Sequence, residues 1–252
     1  MILNHSAHDY TILVENWQTL ARRNSLSFKK VTIYNQFPVY ELCNDCEGKA
    51  GSGLYLSAGI HGDEVAPCWS MLHWAEKNAD LFKHIPIVIY PCLNPWGFIN
   101  NCRADMNGED LNRLWGNPMH PLLGKIILRL KNLTFRLSLN LHEDFDANGI
   151  YLYEPCQDAE SGFWAEGILM TAQGLLPIDS RRTIDGRETI NGIIRPDRNN
   201  PPLDGIPEAI YLIENHGRRN FTIETPSEAS LCTRISAHEV MIEKAVNLAL
   251  QY

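Results

Sequence analysis

Along the chain, apolar and polar positions repeat with two periods. The stretch 25–44, SLSFKKVTIYNQFPVYELCN, alternates with period two and predicts a β-hairpin or meander. GLYLSAG (53–59) and IPIVIYPCL (85–93) are continuous apolar runs, the second bounded by Pro86 and Pro95, and both predict interior strands. EVAPCWSMLHWAEKNADLF (64–82) has apolar residues at helical spacing, as do 121–133, 159–176 and the C-terminal RISAHEVMIEKAVNLALQY. TFRLSLNLHED (134–144), GIYLYEP (149–155) and RNFTIETP (219–226) read as further strands. PEAIYLIENHG, around Tyr211, reads as a strand that buries the tyrosine.

Strands alternating with helices predict an α/β protein, a mixed but largely parallel twisted sheet flanked by helices, with residues 1–252 as a single domain. Two aperiodic stretches interrupt the pattern. Residues 94–118 are rich in Asn, Gly and Pro, and 177–209 carry five prolines with several arginines and acids. Ordered loops of that length in a compact domain tend to be functional. The charges of the second region, among them Arg181, Arg182, Arg187, Arg195 and Arg198, are expected to be mostly solvated.

Composition narrows the function classes. A chain of 252 residues with 44% hydrophobic and 21% charged residues has an ordinary globular balance. Its formal net charge of -8 disfavours a general nucleic-acid binder, since the phosphate backbone would repel it. No apolar run approaches the length of a membrane span, and the first 24 residues lack the basic-then-apolar pattern of a leader. A cytoplasmic protein is therefore expected. Seven scattered cysteines, an odd number, agree with a reducing compartment, and Cys43-x-x-Cys46 has no second pair to make a zinc ribbon.

In a parallel sheet, sites gather at the C-terminal strand ends. His61, His142 and Glu224 all lie at or just past such ends. In SAGIHGDEVAP, His61 and Glu64 follow a strand, and Gly59 and Gly62 let the backbone bend. Read alone, the pair is either a metal-ligand set or an ordinary polar turn. A metal would need a third ligand, and His142, about 80 residues further on, is the best placed. No H-E-x-x-H, phosphate loop or nucleophile elbow is present. His73, His84, His120, His216 and His238 show no partner pattern and are expected to be surface or satisfied core residues.

The intervening loop, LNPWGFINNCRADMNGEDLNRLW (93–115), adds Asn94-Pro95-Trp96-Gly97, then Arg103, then Asp110-Leu111-Asn112-Arg113. With H-G-x-E before it and Leu141-His142 after it, this ordered set resembles the zinc metallocarboxypeptidase family. The superfamily also holds succinylglutamate desuccinylase and aspartoacylase, and the short chain without a propeptide looks like its small bacterial branch. The resemblance implies one zinc ion held by His61, Glu64 and His142, and Glu224 as general base. It further implies that Arg103 supports the oxyanion and that Asn112 and Arg113 grip the substrate's carboxylate. Asp110 is expected to orient the loop. The implied reaction is hydrolysis of an amide beside a free carboxylate, in a peptide or an N-acyl amino acid. Tyr211 lies closer to Glu224 than the mobile tyrosine of the digestive enzymes does, a departure from strict carboxypeptidases that the desuccinylase-like branch shares; an N-acyl amino acid amidohydrolase of that type, or a cell-wall peptide amidase, is the alternative within enzymes. A catalytically silent metal- or carboxylate-binding protein is the reading outside enzymes.

Overall fold

The computed structural model describes residues 6–44, 53–155, 162–196, 204–217 and 219–251. Cys46, Cys156, Asp197 and Arg198 lie outside the described residues. Its strands are β1 (Ser27–Tyr34), β2 (Phe37–Cys43), β3 (Gly53–Ala58), β4 (Ile87–Tyr90), β5 (Phe135–Asp144), β6 (Tyr151–Tyr153), β7 (Thr183–Ile184), β8 (Arg187–Ile190), β9 (Ile193–Ile194) and β10 (Asn220–Pro226). They form one sheet in the order β1-β2-β4-β3-β5-β10-β6-β9-β8-β7. The four central strands, β4, β3, β5 and β10, run parallel. Most pairs toward the two edges are antiparallel, with β6 and β9 as a parallel exception.

The helices are α1 (Tyr10–Asn24), α2 (Val65–Lys77), α3 (Pro95–Asn100), α4 (Leu123–Leu130), α5 (Gly162–Ala172), α6 (Glu208–Asn215) and α7 (Leu231–Gln251). On one face of the sheet Leu54, Leu56, Leu137, Leu139, Leu141, Phe221 and Ile223 pack with α1, α2, α5 and α7 in the larger core. The other face is apolar only in part. There Tyr55, Val88, Tyr90 and Phe135 pack against α4, α6 and the 94–118 loop, while Ser57, Ser138, Asn140, Asn220 and Thr222 form a buried polar column. Alternation along each strand therefore sends His142 and Glu224 to this polar face.

Three elements differ from the sequence-based expectation. Helix α1 was not anticipated, although Tyr10, Leu13, Trp17, Leu20 and Ala21 make a buried stripe at helical spacing and Asp9 caps it by accepting from the Ile12 amide. The region 177–209 is not structureless, because β7, β8 and β9 extend the sheet edge. Asp185-Gly186 and Asn191-Gly192 join them, each residue at positive φ, as a type I′ turn demands. Tyr211 lies on a helix, α6, not on a strand. Only one stripe of that segment is buried, Glu208 and Leu212, which is a helical and not an alternating pattern. Tyr211 itself is half-buried against Trp115 and His216.

Candidate metal centre

Strand β3 ends at Ala58, and the chain turns through Gly59 at φ +63 into His61 and Glu64. Gly62 is needed for a different reason: a Cβ there would lie 1.9 Å from the Gly97 carbonyl carbon of α3. The turn is thus pressed backbone to backbone against the Asn94–Gly97 segment, where the Asn94 side chain accepts from the Gly97 amide. Leu93 and Asn94 amides bond back to Ala58 and Gly59 carbonyls. The two sequence motifs are parts of one folded unit.

Within it, His61 Nδ1 is 2.6 Å from Glu64 Oε1, and His142 Nδ1 is 2.9 Å from Glu64 Oε2. The two imidazole centroids are 4.9 Å apart. All three side chains are buried, and one ligand atom from each lies within 4.8 Å of the others. Tetrahedral zinc with bonds of about 2.0–2.1 Å spaces its ligands roughly 3.3 Å apart, so small side-chain adjustments suffice. Two neutral imidazoles and a carboxylate are also the donor set that zinc favours. The residues present fit such an ion.

Charge in this pocket is strongly organised. Burial alone would raise the Glu64 carboxyl, but His61 and His142 outweigh it and hold the group far below the usual carboxylate range. Burial likewise opposes the charged form of His61, yet Glu64 and Asp110 bring the net value above the ordinary one. Asp110 Oδ1 accepts from His61 Nε2 at 3.2 Å, which fixes the ring so that Nδ1 faces the ligand cluster. Asp110 also caps the short helical turn Leu111–Arg113 by accepting from the Asn112 amide. The expected loop-orienting role is therefore joined by a direct contact to a candidate ligand. Arg103 is half-exposed beside them, 3.6 Å from Glu64 Oε1 and 3.1 Å from Asp110 Oδ2.

Glu224 is the in-register neighbour of His142 on the adjoining parallel strand. It is buried, and no donor among the described residues reaches its Oε2. Burial pushes its carboxyl well up, Glu64 and Asp144 push the same way, and His142 and Arg103 oppose them. A buried carboxylate with raised proton affinity beside a cation site suits a general base, which must be ionised to accept a proton and basic enough to hold it. On its other side Glu224 pairs in register with Tyr151 of β6. The Tyr151 hydroxyl donates to Asp144 at 2.9 Å.

The remaining candidates lie around this centre. Asn112 accepts from the Glu208 amide through its side chain, and Arg113 Nε binds Asp204 at 2.7 Å. The 204–206 segment is itself held to this loop, with the Ile206 amide on the Arg113 carbonyl. Arg181 and Arg195 are not the solvated charges expected. They bind the buried carboxylates of Asp179 and Glu154. His238 is a core residue bonded through Nε2, with no partner for its Nδ1 among the described residues, and His120 and His216 are buried with partners.

Residues 50–146 match the family model of the succinylglutamate desuccinylase/aspartoacylase catalytic domain. Among curated proteins the chain is 31% identical over 116 residues to cytosolic carboxypeptidase 1 of Danio rerio, covering 40% of this chain and 10% of that protein. It is 35% identical over 89 residues to the Mus musculus protein of the same name, covering 31% and 7%. The chain thus spans a tenth or less of these relatives. A crystal structure of a candidate metallopeptidase from Shewanella amazonensis superposes with a TM-score of 0.82 at 24% identity, covering 96% of this chain and 94% of that one. A metallo-carboxypeptidase from Burkholderia cenocepacia gives 0.69 at 14% identity, covering 94% and 68%. At these identities the structural likeness establishes the fold. Among the described residues no helix is long and apolar enough to cross a membrane.

Proposed function

Since the chain belongs to the superfamily that joins zinc carboxypeptidases with succinylglutamate desuccinylase and aspartoacylase, we propose that it is a zinc-dependent hydrolase of amides next to a free carboxylate. A peptide C-terminal residue is the leading substrate and the cytoplasm the proposed compartment. The reading rests on one observation above all. His61, Glu64 and His142 converge from two distant segments, and a buried carboxyl, Glu224, whose Oε2 meets no donor among the described residues, stands next to His142 in the sheet.

Zinc held by His61, Glu64 and His142 would polarise the substrate carbonyl and lower the pKa of water toward about 7. Glu224 Oε2 has no hydrogen bond to break among the described residues, so it is free to take the proton of the attacking water. Its raised proton affinity lets it hold that proton and pass it to the departing amine. Arg103 reaches Asp110 with one end of its guanidinium and His61 and Glu64 with the other, which sets its positive charge beside the place where charge develops on the carbonyl oxygen. Arg113 receives the substrate carboxylate. Its present partner Asp204 is largely exposed, and water screens such a pair, so a substrate anion competes readily.

An N-acyl amino acid amidohydrolase is the second reading. The matched family model favours it, and so does Tyr211, whose hydroxyl lies 3.2 Å from His216 Nε2. Purified protein offered short peptides, cell-wall peptides and N-succinyl or N-acetyl amino acids separates the two. Turnover of the acyl amino acids alone would displace the peptidase reading. Glu224→Gln is expected to keep zinc and lose at least about 100-fold in rate, the scale of general-base removal. Undiminished turnover in that variant would refute the assignment.

A further inference from the structure

Glu64 occupies the N-cap of α2, where a side chain ordinarily bonds back to the exposed amides of the first turn. It makes no such bond. Its carboxylate faces His61 and His142 instead. The first-turn amide of Ala66 is consequently without an intrahelical acceptor, and it is buried. Glu143, from the far end of β5, supplies the missing acceptor. Its Oε2 takes the Ala66 N–H at 3.0 Å, and the Glu143 residue is only 4% exposed.

The second oxygen of Glu143 is equally engaged. Oε1 accepts from the Thr225 hydroxyl at 3.3 Å and from the Arg234 guanidinium of α7. Glu143 and Thr225 are in-register partners on β5 and β10. Each follows a candidate active residue, so each points to the opposite face of the sheet from His142 and Glu224. His238 of α7 completes the set. Its Nε2 lies 3.1 Å from the His142 carbonyl and 3.0 Å from Thr225 Oγ1. A carbonyl only accepts, so Nε2 carries the proton, and the Thr225 hydroxyl is left to donate to Glu143.

We propose that Glu143 is a positioning residue that clamps together the three segments bearing Glu64, His142 and Glu224, and that by capping α2 it frees Glu64 to serve as a metal ligand. The proposal rests on the zinc-site reading above. Glu143 never meets the metal or the substrate. It sets the distance between the α2 turn and the ends of β5 and β10 through a single carboxylate. Outer partners of this kind typically govern metal affinity by 10–100-fold.

The test is the double variant Glu143→Leu/Arg234→Leu beside the single variant Glu143→Gln and the unaltered chain. Removing both members of a buried ion pair preserves folding far better than stranding one charge. Three quantities are read: zinc affinity by chelator competition, the visible spectrum of the cobalt-substituted protein, and amide exchange at residues 65–66 in metal-free protein. The double variant is expected to stay folded, bind zinc 10–100-fold more weakly, show a shifted cobalt spectrum and exchange the Ala66 amide faster. Glu143→Gln keeps an acceptor for that amide and should fall between. Zinc affinity within about 3-fold of the unaltered chain, with an unchanged spectrum, would overturn the clamp. If the double variant does not fold, Glu143→Gln decides by the same criteria. If the unaltered chain binds no zinc, it is the functional reading that fails, and the Ala66 exchange rate alone then upholds or overturns the clamp.

Discussion

Gly62→Ala perturbs one methyl group and should disable the site. The new Cβ would lie 1.9 Å from the Gly97 carbonyl carbon, 2.2 Å from the Phe98 amide nitrogen and 2.4 Å from the Gly97 Cα. Ordinary contacts begin near 3.4 Å, so the two backbones must part by about 1.5 Å. Neither can yield cheaply. Gly97 is hemmed in by the Asn94 side chain and the Cys102 carbonyl, and the Gly62 amide is bonded to that same carbonyl. His61 and Glu64 flank the substituted position, and ligand distances tolerate only about 0.2 Å of error. A shift several times larger should weaken zinc binding by at least about 100-fold, with roughly 1–3 kcal/mol of stability lost to overpacking. Chelator competition gives the first number and urea unfolding of the metal-free protein the second. Gly174→Ala is the control, because nothing lies within 4 Å of its Cβ position. If Gly62→Ala binds zinc within about 3-fold of the unaltered chain, the turn does not depend on that close approach.

Other substitutions probe other links. His142→Ala should lose zinc, and full occupancy by elemental analysis would show that the third ligand lies elsewhere. Tyr211→Phe should keep kcat within about 3-fold, since the hydroxyl faces His216; a loss near 100-fold would make it a proton donor or substrate clamp. Burial would raise the Glu41 carboxyl, but bonds from Arg129 and Tyr90 outweigh it and bring the net value below the ordinary 4.5. A depressed carboxyl contributes stability that is complete above its unfolded value and lost as pH falls through its folded value. Glu41→Gln should therefore be less stable than the unaltered chain at pH 7, with the gap closing below about pH 4.5; a gap that is constant down to pH 2 would contradict this.

The candidate ligands were legible because the relevant strands are parallel. Parallel neighbours end on the same edge, so strand-end residues such as His142 and Glu224 fall together without knowledge of strand order. Arg103 and Asp110 were legible only as members of a motif, and their contacts to Glu64 and His61 needed the folded loop. Glu143 was invisible as a cap. It lies between His142 and Asp144 in sequence, and its function depends on the side of the sheet it faces and on α2 lying there. The two Asx-Gly turns at 185–186 and 191–192 carried a readable hairpin signal that proline-rich surroundings obscured. The converse holds at α6. Ala209-Ile210-Tyr211-Leu212-Ile213 has the composition of a strand, yet packing buries Glu208 and Leu212 together.

The central claim is one zinc ion held by two imidazoles and a carboxylate with Glu224 beside it. Diffraction recorded on either side of the zinc absorption edge, from crystals of the zinc-loaded protein, tests it most directly. One anomalous peak within about 2.0–2.3 Å of His61, Glu64 and His142 is the predicted result. A peak bound by other residues, or none at full zinc loading, would contradict it.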